Sequence, residues 1–322
     1  MIEKRLVQWY AADAGVDLDI AEREIVLTYV LCILGDQGLL ERLAFKGGTA
    51  LRKILLGVPG RFSLDLDFTA TGDDSPDSMA LDLAALLHAQ TYYGLTFTTP
   101  DSDYYATADS CGVEVAYSHD WVTAGRFGLQ ISFRACPLLP VRPRPLRRER
   151  YFDWLGVVPP NVPSLDLHEL IGEKLRAAAQ RSRVRDLYDL YQLARQPYDR
   201  SLVRRIAVIK CWETRYAFEP AAFLSSLSQG KYDWFDLARL VRPDRLVSLA
   251  ELIRGVQHGF QFLLDLTPEE MHLLPRPRSR PQSLLSVRCY RNVNSGVPAP
   301  APYLGPAPAT VLPTRKPPSR RQ

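Results

Sequence analysis

Residues 62–68 of this 322-residue chain read FSLDLDF, and this alternation of apolar and polar positions is the feature that most constrains the fold. A period of two predicts a half-buried strand and places Ser63, Asp65 and Asp67 on one face. Two neighbouring carboxylates repel each other, and burying them without a positive partner is costly. The fold must therefore supply these carboxylates with a cation or leave the face in water.

A short strand, a glycine turn and a helix are predicted just before this strand. Residues 43–56 read LAFKGGTALRKILL. Glycines let the backbone approach a ligand closely, and the free N–H groups at a helix start attract an anion such as a triphosphate. Lys46, Gly47, Gly48 and Thr49 are therefore candidate ligand-binding residues, although ordinary turn chemistry explains such a motif, taken alone, at least as well. The pattern is not a Walker A motif.

A divalent cation is one way to satisfy Asp65 and Asp67. Mg²⁺ binds few protein carboxylates and completes its octahedral shell with water and substrate phosphates, which suits an Asp-x-Asp pair. The alternative is a solvent-facing strand with two incidental aspartates. The position directly after the glycine turn favours the metal, because a phosphate cradle and metal ligands would then lie on adjacent elements.

The net charge of +4 comes from the C-terminal end of the chain. Residues 276–322 contain nine Lys and Arg, no Asp or Glu, and ten of the 25 prolines, which predicts a disordered tail. Subtracting those nine from the 40 basic residues leaves 31 basic against 36 acidic residues in 1–275. The body of the protein is therefore acidic.

Hydrophobic patterning predicts an α+β protein with two domains before the tail. Residues 1–150 form an α+β domain with a small mixed or antiparallel sheet, to which strand candidates at 112–117 and 127–134 contribute. Residues 151–275 form a mostly helical domain, with helices expected at 167–181, 184–193, 202–216 and 246–264. Residues 137–163, rich in Pro and Arg, are expected to be a surface linker.

Membrane-spanning, secreted and disulfide-rich classes are not indicated. The longest apolar run, residues 25–34, is too short to cross a bilayer, and the N-terminus lacks a signal-peptide pattern. We therefore expect a cytoplasmic protein without membrane contact. Its five cysteines are an odd number without metal-ligand spacing, so we expect neither a disulfide partner nor a zinc site.

The order of the motifs resembles a known family. Gly47-Gly48-Thr49 followed by Asp65-Leu66-Asp67 is similar to the signature of the DNA polymerase β-like nucleotidyltransferases. FKGGTALRK at 45–53 and RFSLDLDF at 61–68 resemble the AbiEii/MenT family of nucleotidyltransferase toxins from toxin–antitoxin systems. HELIGEKLRAA at 168–178 and RVRDLYDLY at 183–191 are similar to that family's lysine-bearing helix and Arg-Asp-x-x-Asp-Leu segment. The resemblance covers residues 15–215.

The resemblance implies a polymerase β-like fold and transfer of nucleotides from a nucleoside triphosphate to the 3′ end of tRNA, which blocks aminoacylation and translation. It implies Mg²⁺ or Mn²⁺ held by Asp65 and Asp67. The implied catalytic set is Asp65, Asp67, Lys174, Asp186 and Asp189, and the implied nucleotide-binding set is Lys46, Gly47, Gly48, Thr49, Ser63 and Lys174. The implied partners are tRNA and a cognate antitoxin. In some relatives the antitoxin phosphorylates the hydroxyl residue matching Ser63, so Ser63 is a candidate regulatory phosphosite.

Three features leave alternatives open. Asp186 and Asp189 are explained equally well as ion-pair partners of Arg183 and Arg185. The strand that carries a third carboxylate in many relatives reads LQISF at 129–133, with Gln130 in its place. Either Glu114, or one of Asp186 and Asp189, supplies the third carboxylate, or the protein is a catalytically silent nucleotide- or RNA-binding module. Nucleotidyl transfer to a protein hydroxyl is the other alternative.

Basic residues give a local signal for RNA. A phosphate backbone can bind the basic segment 174–185 together with Arg134, Arg142, Arg144, Arg147, Arg148 and Arg150, although a solvated linker explains these arginines equally well. The tail from Arg276 is expected to add non-specific attraction to RNA without taking part in the chemistry.

Overall fold

The computed structural model of the chain describes residues 2–274. In that range helices and strands form the predicted α+β arrangement, which confirms the fold class. The helices are α1 (Lys4–Ala14), α2 (Leu18–Asp36), α3 (Gly47–Ala50), α4 (Pro76–Leu87), α5 (Leu167–Gln180), α6 (Val184–Leu193), α7 (Arg200–Glu213), α8 (Pro220–Ser226), α9 (Trp234–Ala238), α10 (Leu249–Gly259) and α11 (Pro268–Leu273). The strands are β1 (Leu43–Lys46), β2 (Leu66–Ala70), β3 (Thr91–Tyr92), β4 (Leu95–Phe97), β5 (Tyr104–Ala106), β6 (Ser110–His119), β7 (Val122–Ser132), β8 (Arg142–Arg144) and β9 (Val162–Ser164). The predicted tail, residues 276–322, lies outside the described residues.

The strands form one mixed sheet in the order β3-β4-β6-β7-β2-β1-β9-β8, with β5 paired to β6 beside β4. The pairs β2–β7 and β1–β9 are parallel and the other pairs are antiparallel. The two strands predicted at 112–117 and 127–134 are β6 and β7, which pair along most of their length. Strand β2 therefore lies at the centre of the sheet, between β7 and β1.

The glycine turn after β1 starts a helix, as predicted. Gly47 has a φ of +77°, and α3 continues through residues 51–56 as π-helical turns, in which the Gly57 amide donates to the Arg52 carbonyl at 2.8 Å. Strand β2 begins at Leu66, four residues later than predicted. The backbone before it is paired elsewhere: the Phe62 amide donates to the Leu240 carbonyl at 2.7 Å, and the Asp65 carbonyl accepts from the Thr49 hydroxyl.

Buried apolar side chains form two clusters in the described residues. One lies between the sheet and helices α1, α2 and α4, and the other lies among helices α5 to α7, α10 and α11. The surface linker expected at 137–163 is a wrong prediction, because the segment contributes β8 and β9 to the sheet and buries Leu138, Leu139 and Tyr151. The division into domains at residue 150 stays a prediction.

Helix α5 is fixed at its start and along one side. Asp166 caps the helix by accepting from the His168 amide at 3.0 Å. Gly172 allows close packing against α7, since a Cβ there would lie 2.5 Å from Ile206. These contacts fix the helix turn that carries Lys174. Between residues 2 and 274, no helix has the length and apolar composition needed to cross a membrane.

Candidate active site

A cleft of about 730 Å³ lies between the sheet and helices α5 to α7. Most of the residues singled out in the sequence line it: Lys46, Gly47, Gly48, Ser63, Asp65, Asp67, Lys174 and Asp186. Thr49 and Asp189 do not line it. The motifs at 45–53, 61–68, 168–178 and 183–191 therefore meet at one place, although 99 residues lie between the second and the third.

The floor of the cleft is a row of residues across five strands. In the strand registers, Lys46 of β1 lies opposite Asp67 of β2, and Asp67 lies opposite Gln130 of β7. Gln130 lies opposite Gly112 of β6, which in turn lies opposite Tyr105 of β5. Residues opposite each other in adjacent strands share a face, so all five face the same side of the sheet.

Gly47 and Gly48 leave room for the side chains around them. A Cβ on Gly47 would lie 2.8 Å from the Asp67 Cβ and 2.9 Å from its Cγ, in addition to the strain of the positive φ. A Cβ on Gly48 would lie 2.5 Å from an Arg61 guanidinium nitrogen and 3.1 Å from the Ser63 Oγ. Gly47 is therefore needed for the observed approach of the helix start to Asp67, and Gly48 leaves room for Arg61 and Ser63.

Asp65 and Asp67 lack a positive partner in the described part of the chain, since neither forms an ion pair within 4.0 Å. Asp65 accepts a hydrogen bond from the Gly128 amide at 3.1 Å. Burial raises the pKa of Asp67, and the Asp65 charge raises it further, although Lys46 and Lys174 partly oppose this rise. The two carboxylates thus lie in a field that a bound cation would relieve.

Lys174 belongs to a buried ion-pair network on the opposite wall. Its Nζ lies 3.1 Å from an Asp186 oxygen and 2.9 Å from an Asp189 oxygen. Arg181 also pairs with Asp186 at 2.8 Å, and Arg61 pairs with Asp189 at 2.9 Å. Three cations share two carboxylates, so one net positive charge remains.

The ionisation of this network follows from its contacts. Burial would lower the pKa of Lys174, but Asp189 and Asp186 outweigh it and the net shift is upward. Burial would raise the pKa of Asp186, yet Lys174 and Arg181 hold it at about 2. The lysine is therefore charged and the aspartate ionised at neutral pH.

Asp186 and Asp189 have other partners than the sequence suggested. Arg183 pairs with neither, and Arg185 pairs with Asp236 at 2.8 Å. Thr49 also differs from the prediction, because it is buried and its hydroxyl donates to the Asp65 carbonyl. Thr49 and Asp189 are placed behind the cleft wall, where they support the residues in front of them.

A second charged cluster in the wall was missed in the sequence. Lys210 of α7 ion-pairs with Glu169 at 2.6 Å and Glu173 at 3.2 Å, and Arg176 pairs with Glu173 at 3.0 Å. Burial would raise the pKa of Glu173, but Lys210, Lys46 and Arg176 hold it at about 2. A lysine within the apolar run at 206–212 was the available signal, because a buried charge in such a run requires a partner.

Lys46 differs from most cleft cations because it forms no ion pair within 4.0 Å among residues 2–274. Burial lowers its pKa, although Glu173 and Asp67 oppose this shift. Lys46 therefore faces the acidic strand while remaining available to an anion.

Only some of the arginines predicted to bind RNA line this cleft. Arg134 lines the cleft, but the arginines from 142 to 150 do not. Arg144 pairs with Asp166 at 3.3 Å, Arg150 pairs with Asp13 at 2.8 Å, and Arg147 donates to the Leu55 carbonyl at 3.2 Å. Their structural roles explain most of that basic run.

The position of the third carboxylate is occupied by Gln130, directly beside Asp67. Glu114 lines the cleft opposite Gly128, the residue whose amide holds Asp65. Within the described residues no group of three carboxylate, imidazole or thiol side chains is arranged to hold a metal. The acidic pair Asp65 and Asp67 remains the candidate metal-binding unit because neither carboxylate has an ion-pair partner within 4.0 Å among the described residues.

Comparisons with known proteins place this chain in a family. The model of the nucleotidyl transferase AbiEii toxin of type IV toxin–antitoxin systems matches residues 29–277. The structure of MenT4, a nucleotidyltransferase toxin from Mycobacterium tuberculosis H37Rv, is similar with 26% identity and a TM-score of 0.75, covering 92% of this chain and 99% of that chain. CdnG, a CD-NTase from Bradyrhizobium diazoefficiens solved in complex with GTP, has 14% identity and a TM-score of 0.23 over 86% of this chain and 97% of that chain. No curated protein matches in sequence. Because the family model spans more than half of the chain, the protein belongs to the AbiEii family of nucleotidyl transferase toxins of type IV toxin–antitoxin systems.

Proposed function

We propose that this toxin transfers a nucleotide from a nucleoside triphosphate to the 3′ end of tRNA in a metal-dependent reaction, so that aminoacylation and translation stop. The observation that supports it best is the pairing of opposite charges in one cleft. The unpaired carboxylates of Asp65 and Asp67 lie beside Lys46 and face the net positive wall of Lys174. Such a cleft suits a polyphosphate with its counter-ion.

The residues fit a divalent metal. Two carboxylates without an ion-pair partner, one exposed and one partly buried, supply the few oxygen ligands that Mg²⁺ or Mn²⁺ takes from a protein beside substrate phosphates. A metal held by Asp65 and Asp67 would neutralise charge on the phosphates and lower the pKa of the attacking hydroxyl.

The protein's own residues orient the nucleotide. Lys46 and Lys174 hold the β- and γ-phosphates, while the start of α3 at Gly47 and Gly48 leaves space for them. The acceptor oxygen forms a bond to the α-phosphorus, the bond from that phosphorus to the β-bridging oxygen breaks, and pyrophosphate leaves. The hydroxyl proton is released to solvent, which reaches the exposed Asp65.

RNA as the acceptor is supported by the rim of the cleft. Arg134 and Arg183 are both exposed cleft residues. Arg134 contacts Asp109 only at 3.9 Å, and Arg183 forms no ion pair within 4.0 Å in the part of the chain that is described. Cations of this kind remain available for a phosphate backbone. MenT4, which is similar to this chain, is a nucleotidyltransferase toxin. This similarity supports nucleotidyl transfer and does not distinguish RNA from protein as the acceptor.

The decisive test is transfer of an α-labelled nucleotide. The protein is incubated with each of the four triphosphates and Mg²⁺, Mn²⁺ or EDTA, with total tRNA or total protein as the acceptor. We expect label at the 3′ end of tRNA, dependent on the metal. Label in protein would instead establish the rival acceptor, and no label in either pool would support a silent binding module.

Variants of the acidic pair control this test. Asp65→Asn and Asp67→Asn are expected to abolish transfer and growth inhibition, because neutral amides do not replace two anionic ligands. The matched control is Asp73→Asn, an exposed residue shortly after β2 that does not line the cleft. If the two cleft variants transfer as well as the control, the acidic pair is not the catalytic centre.

Ser63 is proposed as the site at which the antitoxin acts. It lines the cleft, and its Oγ lies beside Gly48 at the start of α3. A phosphoryl group on this oxygen would add negative charge beside Asp65 and repel the triphosphate. Mass spectrometry after co-expression with the cognate antitoxin tests this, and a Ser63 peptide that stays unmodified while the toxin is neutralised would refute it.

A further inference from the structure

The row of residues across the sheet has a direction. Lys46 is at one end, Asp67 is next to it, and Gln130, Gly112 and Tyr105 continue away from it. Strands are spaced about 4.8 Å apart, so Gly112 lies roughly 10 Å beyond Asp67 on the side opposite to Lys46. The charged end and the uncharged end of this row are therefore separated by about the length of a nucleoside.

The chemistry of phosphoryl transfer assigns these two ends. The attacking oxygen and the leaving oxygen lie on opposite sides of the phosphorus. If Lys46 holds the departing pyrophosphate, as in the proposed function on which this inference rests, the acceptor approaches over Gln130 and Gly112. The residues on that side therefore contact the acceptor rather than the triphosphate.

Tyr105 is built as a platform at that end. Its ring lies over Gly112, where a Cβ would be 2.9 Å from the Tyr105 hydroxyl and 3.1 Å from a ring carbon. The residue is nonetheless 41% exposed and lines the cleft. Burial raises the pKa of its phenol, and hydrogen bonding with Gln130 and Ser110 opposes that rise. One part of the ring is thus held on the sheet while the remainder is open to solvent.

We propose that Tyr105 and Gln130 form the subsite for the terminal nucleoside of the acceptor RNA. The terminal base stacks on the ring of Tyr105, a contact that tolerates any base. The side-chain amide of Gln130, which offers both donors and an acceptor, hydrogen-bonds with the terminal ribose beside Asp67. This assignment is consistent with the neutral residue at position 130, because an amide can hydrogen-bond with the hydroxyl groups of a ribose without carrying a charge.

The experiment separates the acceptor from the nucleotide. The KM for total tRNA and the KM for the preferred triphosphate are measured for Tyr105→Ala, Tyr105→Leu and Tyr105→Phe. We expect Ala and Leu to raise the KM for tRNA about ten- to one-hundredfold, because stacking is lost, while the KM for the triphosphate stays within about twofold. Phe keeps an aromatic face and should remain close to the wild type. Gln130→Ala is expected to raise the KM for tRNA and to reduce the advantage of an acceptor ending in a ribose over one ending in a 2′-deoxyribose.

A matched control is Trp9→Ala, since Trp9 is 46% exposed and lies outside the cleft. Melting temperatures of all variants identify any that fail to fold, and Tyr105→Leu retains the bulk of the side chain in that case. An unchanged KM for tRNA in Tyr105→Leu overturns the proposal. A raised KM for the triphosphate alone also overturns it, because the ring would then bind the incoming nucleotide.

Binding without the triphosphate keeps this test independent of the proposed function. The Kd for labelled tRNA is measured by fluorescence anisotropy for the wild type and for Tyr105→Leu. If the wild type labels no RNA, the proposed function is refuted, and the Kd values still decide whether the subsite exists. A weaker Kd in the variant supports the subsite, and equal Kd values refute it.

Discussion

The ammonium group of Lys174 lies 2.9 Å from the carboxylate of Asp189, which also accepts from Arg61 at 2.9 Å. Lys174 lines the cleft but Asp189 does not. Substitution of Lys174 should therefore mainly reduce activity, and substitution of Asp189 should mainly reduce stability. We expect Lys174→Met to lower kcat/KM by about 100-fold or more, because the positive charge proposed to bind the phosphates is lost. Its stability should fall by only about 2 kcal/mol, since Asp186 and Asp189 keep Arg181 and Arg61.

Asp189→Asn should lose more stability and less transfer activity than Lys174→Met. Arg61 is buried and has no other carboxylate partner in the described residues, so its loss of Asp189 leaves a buried charge unpaired. Removing one partner of a buried pair costs about 3–5 kcal/mol. Denaturant unfolding and transfer kinetics of both variants check this pair of expectations. A transfer defect in Asp189→Asn as large as that of Lys174→Met would instead place Asp189 in direct contact with the substrate.

Asp67→Asn is expected to separate stability from activity. Asp67 has no ion-pair partner in the described residues and burial raises its pKa, so a neutral amide removes an unfavourable charge. We expect the free energy of unfolding to stay the same or rise, while transfer and the binding of Mn²⁺ are lost. Asp186→Asn is the matched comparison: its pKa of about 2 indicates a stabilising carboxylate, and the variant should lose about 2 kcal/mol. Chemical unfolding together with Mn²⁺ paramagnetic resonance measures both effects.

The raised pKa of Glu213 leads us to expect that nucleotide binding depends on pH. Burial raises the pKa of this cleft residue to about 7, although Lys210 opposes the rise. The carboxyl is neutral below pH 7 and becomes anionic above it, so the cleft gains one negative charge as the pH rises. We expect the KM for the triphosphate to increase about two- to fivefold from pH 6 to pH 8, the size of a solvent-screened charge interaction. Glu213→Gln should remove this increase, and a wild-type profile without it would contradict the assignment.

The same group sets a direction for stability. The pKa of Glu213 is higher in the folded protein than its usual value of 4.5. The contribution of its neutral carboxyl to the free energy of unfolding is therefore fully present below about pH 4.5 and is lost as the pH rises through 7. Unfolding of the wild type and of Glu213→Gln at pH 5 and pH 8 measures the difference. The variant should show the smaller loss between the two pH values.

Local patterns were sufficient to predict part of the cleft. Alternation at 62–68 and the glycine turn at 47–48 predicted that the turn and the acidic segment lie on adjacent elements, and Lys46 lies opposite Asp67 in neighbouring strands. The burial of Thr49 was not predictable in this way, since its direction depends on the helical turn at which α3 begins. Nothing in the sequence indicated that the backbone of Phe62 would pair with Leu240.

Long-range contacts were the main reason for the remaining differences. Tyr105 and Lys210 reach the cleft only through the pairing of β5 with β6 and the packing of α5 on α7. Prolines in residues 137–163 suggested a linker, yet β8 and β9 each contain one of them, and β8 lies at the edge of the sheet, where a missing N–H is tolerated. Ion-pair partners for Asp186 and Asp189 depended on the angle between α5 and α6, which spacing along the chain does not give.

Gly47 offers a test in which backbone strain is held constant. Gly47 and Gly38 both have positive φ, +77° and +74°, but a Cβ on Gly38 would meet no atom within 4 Å. A Cβ on Gly47 would lie 2.8 Å from the Cβ of Asp67. Alanine should therefore cost about 1–2 kcal/mol of stability at both sites because of the left-handed backbone, with a larger loss at Gly47. Only Gly47→Ala should also lower transfer, by about tenfold or more, since it displaces a proposed metal ligand. Equal transfer rates in the two variants would show that the approach of the glycine turn to Asp67 is not needed for catalysis.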